Sequence, residues 1–149
     1  MTLEADLACL RQLPLFRALP PHRLKLVALM GEKLHFDAGT QIIAEGEAPD
    51  GVFVILHGQL EISHGGPDGT GPRLPLSFGS LVGDVPLLSG RSFAGAVTAK
   101  TDVAALRLPK DLFFELLETV PDFSLALTKD LASRLYRLAD FTLHAEKVH

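Results

Sequence analysis

The feature that most constrains the fold is a series of short β-branched and aromatic runs between Glu32 and His64. The runs KLHF, TQIIAEG, GVFVILHG and QLEISHG are typical of strands, and the intervening DAG, EAPDG and HG are typical of turns. Strands at intervals of about eight to twelve residues predict a sandwich, roll or barrel built from hairpins. The segment Gly65 to Pro72 is rich in glycine and proline, which predicts a mobile hairpin loop before a returning strand from Arg73 to Ser77.

Helices are predicted at the amino-terminal end, in residues 1–31. Apolar residues at positions 3, 7, 10 and 13 indicate an amphipathic helix from Leu3 to Leu13, ended by Pro14. Pro20 and Pro21 start another helix, for which Gly31 is a suitable end. Its predicted buried face consists of Leu24, Val27, Ala28 and Met30.

The carboxyl-terminal part, residues 109–149, is also predicted to be helical after a last strand at residues 103–108. Pro109 opens one helix and Pro121 opens a longer one. In that longer helix, apolar positions repeat at alternating spacings of four and three, a pattern of coiled-coil type that we call the seam: Leu131, Leu135, Leu138, Thr142 and Ala145. The seam predicts a homodimer through residues 122–147, and the alternative is that this face packs on its own domain.

Length and composition bound the class of protein. A chain of 149 residues is predicted to form a single domain. Its densest apolar runs, such as Val52 to Leu56, are far shorter than the roughly 20 residues of a spanning helix, so no membrane partner is predicted. No basic region followed by an apolar one opens the chain, and the single cysteine, Cys9, excludes an intramolecular disulfide. These features favour a cytoplasmic protein.

Charge argues against nucleic acid as a partner. The formal net charge is −4, and lysines and arginines are scattered instead of clustered. A small anion stays compatible with this balance, because a pocket needs only one or two cations and some oriented backbone amides.

The segment from Phe78 to Ala99, FGSLVGDVPLLSGRSFAGAVTA, combines glycine turns with an apolar short helix and a strand. Gly79 and Gly83 permit sharp turns, and Asp84 is a candidate cap for the helix that follows. The free N–H groups at such a helix start can face an anion. The alternative is a buried turn between strands, because glycine-rich loops are weak signals by themselves.

Together these blocks resemble the cyclic-nucleotide-binding domain, the family found in catabolite-activator-type bacterial regulators, protein kinase A regulatory subunits and gated channels. FDAGTQIIAEGEAPDGVFVILHGQLEI is similar to the first half of the family's β-roll, and VAALRLPKDLFFELL is similar to its last strand and following helix. Residues 78–99 are similar to its phosphate-binding cassette. The resemblance implies a mainly β fold: an eight-stranded, jelly-roll-like β-roll at residues 32–108, with amino-terminal helices and a long carboxyl-terminal helix.

The resemblance also implies a ligand site in the cassette. The family's glycine falls on Gly83, and the acid that binds the ribose 2′-hydroxyl falls on Asp84. Leu87 and Leu88 close the short helix that begins near Val85, and the small residue after the family's arginine falls on Ala94. The implied ligand is cAMP, cGMP or a related small anion, and no other cofactor is predicted.

Two positions depart from the family's pattern. Pro86 stands where a backbone N–H would meet the cyclic phosphate, and proline has no N–H. Phe93 stands where the phosphate-binding arginine is expected, and a bidentate arginine contributes strong charge-assisted hydrogen bonds. Arg91 could replace that arginine only if the loop slid by two residues. Phe93 has an ordinary alternative, since an aromatic ring at an inward strand position is common core.

No catalytic or metal-binding arrangement is predicted. The six histidines form no close pair with a carboxylate at ligand spacing, and no nucleophile elbow or general acid/base pair is present in the pattern. The chain is therefore predicted not to be an enzyme. In the bacterial regulators the long helix leads into a helix-turn-helix domain, and no DNA-reading element is predicted within residues 1–149. The chain is expected to be either a free-standing sensor or adaptor, or a sensor fragment of a longer protein.

Two hypotheses about function follow. The first is a ligand-sensing regulatory module, in which a nucleotide-like anion enters the roll and the carboxyl-terminal helix changes its packing. The second is a ligand-free interaction or dimerisation module, in which the altered cassette is plain core. Gly83 and Asp84 favour the first, and Pro86 and Phe93 favour the second.

Overall fold

The computed structural model describes residues 2–64 and 71–148. Most of the predicted loop from Gly65 to Pro72 lies outside the described residues, and so do the side chains at 141, 142 and 145–148. The helices are α1 (Leu3–Arg11), α2 (Pro14–Arg17), α3 (Pro21–Met30), α4 (Asp84–Ser89), α5 (Lys110–Thr119) and α6 (Pro121–Val148). The strands are β1 (Glu32–Phe36), β2 (Gln41–Ile43), β3 (Gly51–His57), β4 (Leu60–Ser63), β5 (Arg73–Leu76), β6 (Leu81–Val82), β7 (Ala96–Ala99) and β8 (Val103–Pro109).

The chain divides into two compact units. One comprises Met1–Lys25 and Glu115–His149, and the other comprises Leu26–Phe114. The single domain expected from the chain length stays a prediction.

The unit Leu26–Phe114 contains all eight strands. They form two four-stranded antiparallel sheets, one in the order β1-β8-β3-β6 and the other in the order β2-β7-β4-β5. The apolar core draws on both sheets: Ile43, Ile55, Leu60, Val82, Phe93, Val97, Ala99, Val103 and Ala105. The predicted mainly β class, with an eight-stranded roll and flanking helices, is confirmed.

The other unit is a small helical cluster. The rings of Phe16 on α2 and Phe123 on α6 meet edge to face, with centroids 6.1 Å apart, and both are buried. Arg23 Nη1 donates a hydrogen bond to Thr119 Oγ1 at 3.1 Å and lies 3.6 Å from the Glu115 carboxylate. The ring contact holds the first turn of α6 against α2, and the Arg23 contacts hold the end of α5 against α3. None of the helices in the described part of the chain combines the length and apolar composition that a bilayer crossing needs.

Helix boundaries differ in detail from the prediction. The first helix ends at Arg11, and Pro14 begins the separate helix α2 instead of only ending α1. Proline suits a first helical position because the N–H it lacks has no partner within the helix there. For the same reason Pro109 was expected to open a helix, but it is the last residue of β8, and α5 starts at Lys110.

The predicted buried face of α3 is wrong for Met30. Leu24, Val27 and Ala28 are buried, but Met30 is exposed. At 3.6 residues per turn, Met30 lies about 110° around the helix axis from the centre of the face formed by the other three. Gly31 follows the end of α3 as expected, and its N–H donates to the Val27 carbonyl at 2.8 Å.

We predict that Gly58→Ala destabilises the fold more than Gly39→Ala. Both glycines have positive φ, so alanine costs about 1–2 kcal/mol of backbone strain at either position. A Cβ at Gly58 would also collide with the Asp102 carbonyl oxygen, whereas a Cβ at Gly39 meets nothing within 4 Å. Overpacking should add about 1–3 kcal/mol at Gly58, measured as the free energy of unfolding in urea. Equal losses in the two variants would contradict this packing argument.

Candidate functional site

The short helix of the cassette begins after a turn at Gly83, where there is no room for a side chain. Strand β6 pairs with β3 and delivers the chain to Gly83, which has φ +104°. A Cβ at Gly83 would lie 2.8 Å from the Gly51 carbonyl oxygen, so the backbones approach too closely for a side chain. Gly83 is the N-cap of α4, and the Leu87 N–H donates to its carbonyl at 3.0 Å. The turn therefore fixes where the short helix starts.

Asp84 is the first residue of α4 and is only 1% exposed. The expectation that Asp84 occupies the cap position of this helix is wrong, because Gly83 is the N-cap. Gly83, with its positive φ, forms the turn before the helix. The helix therefore starts at the next residue, and Asp84 already has helical geometry. A carboxylate in the first turn is favoured by the helix dipole.

The apolar residues of α4 divide between core and solvent. Leu87 is buried, whereas Val85 and Leu88 are exposed. Pro86 is tolerated within the first turn because the first four N–H groups of a helix have no partner inside it. The cassette thus folds normally with Pro86, but it presents one backbone donor fewer at the helix start.

Phe93 is the side chain that the cassette sends into the roll. Its N–H donates to the Glu47 carbonyl at 2.9 Å, and its own carbonyl accepts from the Gly46 N–H at 2.8 Å. The ring belongs to the core cluster, and the residue is 9% exposed. The ring carbon Cζ lies 3.3 Å from the position that a Cβ on Gly83 would occupy. The ring therefore extends from the backbone pairing with residues 46 and 47 to the start of α4.

Arg91 and Ala94 lie outside this interior. Both are exposed, and the Arg91 N–H donates to the Pro86 carbonyl at 2.9 Å. The backbone pairing of Phe93 with residues 46 and 47 sets the register of this segment, with Arg91 on the solvent side. Ala96, which falls where the family has a serine or threonine, is buried on β7.

A histidine contact at the cassette's end was not predicted. The His64 Nδ1 lies 3.1 Å from the Ala94 carbonyl oxygen and 3.2 Å from Glu45 Oε1. No spacing in the sequence signals the contact, because its three residues come from separate parts of the chain that the roll brings together.

The core of the roll contains a narrow apolar crevice with no room for a water molecule. Its lining includes no charged or polar side chain: Phe36, Ile42, Ile43, Phe53, Ile55, Leu60, Val82, Val97 and Ala105. Phe36, Ile42 and Phe53 are only partly buried, so this end of the core is within reach of solvent. The alternation of inward residues along β1, β2 and β3 was the available signal for these positions.

The predicted site residues divide into a buried and an exposed set. Gly83, Asp84, Leu87 and Phe93 are buried, and Val85, Leu88, Arg91 and Ala94 are exposed.

Comparison with known proteins agrees with this architecture. Residues 33–120 match the family model of the cyclic nucleotide-binding domain. The chain belongs to the cyclic nucleotide-binding domain family.

Three similar proteins show the range of settings in which the domain occurs. A cAMP-dependent protein kinase regulatory subunit from Aspergillus niger is 31% identical over 115 residues, covering 77% of this chain and 28% of the relative. The lysophospholipase NTE1 from Chaetomium globosum is 28% identical over 111 residues, covering 73% of this chain and 7% of the relative. The sensor domain of the transcriptional regulator DNR from Pseudomonas aeruginosa superposes with a TM-score of 0.78 at 18% identity, covering 93% of both chains. The chain spans little more than a quarter of the length of the curated relatives it matches first.

We predict that Phe93→Ala destabilises the roll by about 3–5 kcal/mol, because removing a buried aromatic ring loses its transfer free energy and leaves a cavity. Phe78→Ala is the matched control, since Phe78 is partly exposed and lies in the same segment. The free energy of unfolding in urea measures both. Similar, small losses in the two variants would show that the Phe93 ring does not pack in the core.

Proposed function

We propose that this chain is a regulatory module of the cyclic nucleotide-binding domain family that works without a cyclic nucleotide. The observation that carries the proposal is the Phe93 ring, which lies in the core of the roll where the resemblance places the phosphate-binding arginine. This is the ligand-free alternative considered from the sequence.

The energetics of phosphate binding support the proposal. A charge-assisted hydrogen bond contributes about 1.5–3 kcal/mol, and each 1.4 kcal/mol changes the affinity about tenfold. Loss of a bidentate arginine could therefore weaken binding a hundredfold or more. Pro86 removes a backbone donor from the same helix start. A charged phosphate would lose its water without gaining partners.

Self-association through α6 is the proposed route of action. Leu135, in the seam, is 69% exposed, while Phe123 and Leu127 of the first turns are buried in their own unit. A long helix that is anchored at one end and exposes apolar residues at the other can pair with a second copy. We propose that the seam is a homodimer contact.

The setting of the module is also a proposal. The regulatory kinase subunit and the sensor domain are regulatory by name, and we propose the same role for this chain. The family's domain also occurs in a lysophospholipase, so enzymes can carry it; we propose that the domain itself is not catalytic. A cytoplasmic location, expected from the single cysteine, belongs to the same proposal.

The second candidate is a sensor of a small anion. It is favoured by Gly83 and the buried Asp84, which keep the positions that the resemblance links to ribose binding. In this candidate, Arg91 would have to supply the positive charge from its exposed position.

We predict that calorimetric titration of cAMP or cGMP into the wild-type chain gives no binding at micromolar concentrations. Phe93→Arg should bind at least about tenfold more tightly than the wild type, because it restores one charge-assisted pair. Phe93→Leu is the control, since it shortens the ring without adding charge.

Micromolar binding by the wild type would contradict this prediction and favour the sensor. Loss of that binding in Arg91→Ala would then identify Arg91 as the cation. Equal weak binding by Phe93→Arg and Phe93→Leu would show that Pro86 and the apolar lining matter more than the missing arginine.

We predict that Leu135→Glu separates the seam dimer into monomers under dilute conditions where the wild type is dimeric. A carboxylate at the centre of an apolar seam loses its hydration without a partner. Sedimentation velocity measures the change, and Ser133→Glu, on the exposed polar face, is the matched control. A wild type that is monomeric, or a variant that sediments like the wild type, speaks against the seam.

A further inference from the structure

Helix α6 exposes a second set of apolar residues besides the seam. We call it the second stripe, and it consists of Leu125, Ala132, Tyr136, Ala139 and Leu143. Its three large members are 54%, 72% and 58% exposed for Leu125, Tyr136 and Leu143, and the two alanines are exposed as well. Its spacings of seven, four, three and four residues repeat the pattern of a heptad.

The second stripe faces a different direction from the seam. At 3.6 residues per turn, the centres of the two sets lie roughly 110° apart around the helix axis. The opposite face carries Asp130, Ser133, Arg137, Asp140 and His144. The apolar surface of α6 thus covers about half of its circumference.

One partner helix does not cover so wide a surface. In a two-stranded coiled coil the contact is a narrow seam of two positions in every seven. In a four-helix bundle each helix touches two neighbours, and in a square arrangement these lie about 90° apart around it. The roughly 110° separation of the two sets is close to that value, so the second stripe fits a second helical neighbour.

In antiparallel pairing, the second stripe of one copy is complementary to the second stripe of another copy. With residue 134 at the centre, Leu125 of one helix meets Leu143 of the other, and Tyr136 meets Ala132. Large residues then oppose small ones near the middle, which is how side chains of packed helices interdigitate.

Charges beside the stripe favour the same direction. Lys129 and Asp140 lie at neighbouring angles on the same side of the second stripe, and antiparallel pairing about residue 134 brings each close to the other of the second copy. The Asp140 Oδ1 atom also lies 3.2 Å from the Nδ1 atom of His144 in the same helix, and both side chains are exposed.

We infer that the second stripe of α6 pairs antiparallel with α6 of another copy, so that two seam dimers form a four-helix tetramer. This rests on the seam dimer of the proposed function. The tetramer uses two self-complementary contacts, as expected for an assembly with closed two-fold symmetry. The occupant of the second stripe is therefore this chain itself.

Sedimentation velocity of the full chain over a wide concentration range tests the inference. The wild type should pass from dimer to tetramer, and Tyr136→Glu should stay dimeric with a tetramer dissociation constant raised at least about hundredfold. Lys129→Asp should also weaken the tetramer, and the double variant Lys129→Asp with Asp140→Lys should restore it. Ser133→Glu, on the polar face, should behave like the wild type.

The outcomes separate the second stripe from the seam. A wild type that never exceeds a dimer, together with monomers for Leu135→Glu, overturns the tetramer and leaves the seam dimer in place. Dimers that Tyr136→Glu separates and Leu135→Glu does not would overturn the seam instead. A purely monomeric wild type overturns both. If Tyr136→Glu leaves the oligomeric state unchanged and only reduces the flotation of the protein with phosphatidylglycerol vesicles, the second stripe is a membrane-contacting face and the tetramer is wrong.

Discussion

Two backbone hydrogen bonds join Phe93 to Gly46 and Glu47, and they decide which side chain of the cassette enters the roll. They hold Phe93 with its ring in the core, while Arg91 is exposed. This placement sets the chemistry of the interior. With Phe93 inside and Arg91 outside, the roll has an apolar filling and its nearby cation is in solvent.

The second fixed point is the close approach of Gly83 to Gly51. It sets the start of α4. Glycines and core residues define the path of the chain here, and we propose that a few side chains at the helix start define what can bind.

Much of the fold could be predicted from residue patterns, because alternating apolar strands and glycine turns report directly on which face is buried. The inward position of Phe93 was one of two alternatives, and Asp84 was misplaced by one residue because the N-cap depends on the φ of Gly83 and not on residue type alone. Met30 was misassigned because apolar residues at a helix end need not lie on its buried side. The His64 contact could not be predicted, since it depends on how three separate segments meet. The roles of the cassette residues in binding stay predictions.

A side chain differs from a diffusing ligand in that it cannot be diluted, degraded or outcompeted at ordinary concentrations, because its effective concentration is fixed by the chain that carries it. Under the proposed ligand-free function, the interior that Phe93 occupies is filled at every concentration of second messenger. A change of state in the proposed module has to come from mass action, through the amount of protein present and what it assembles with. Synthesis and turnover of the chain would then set the signal, in place of the synthesis and turnover of a nucleotide.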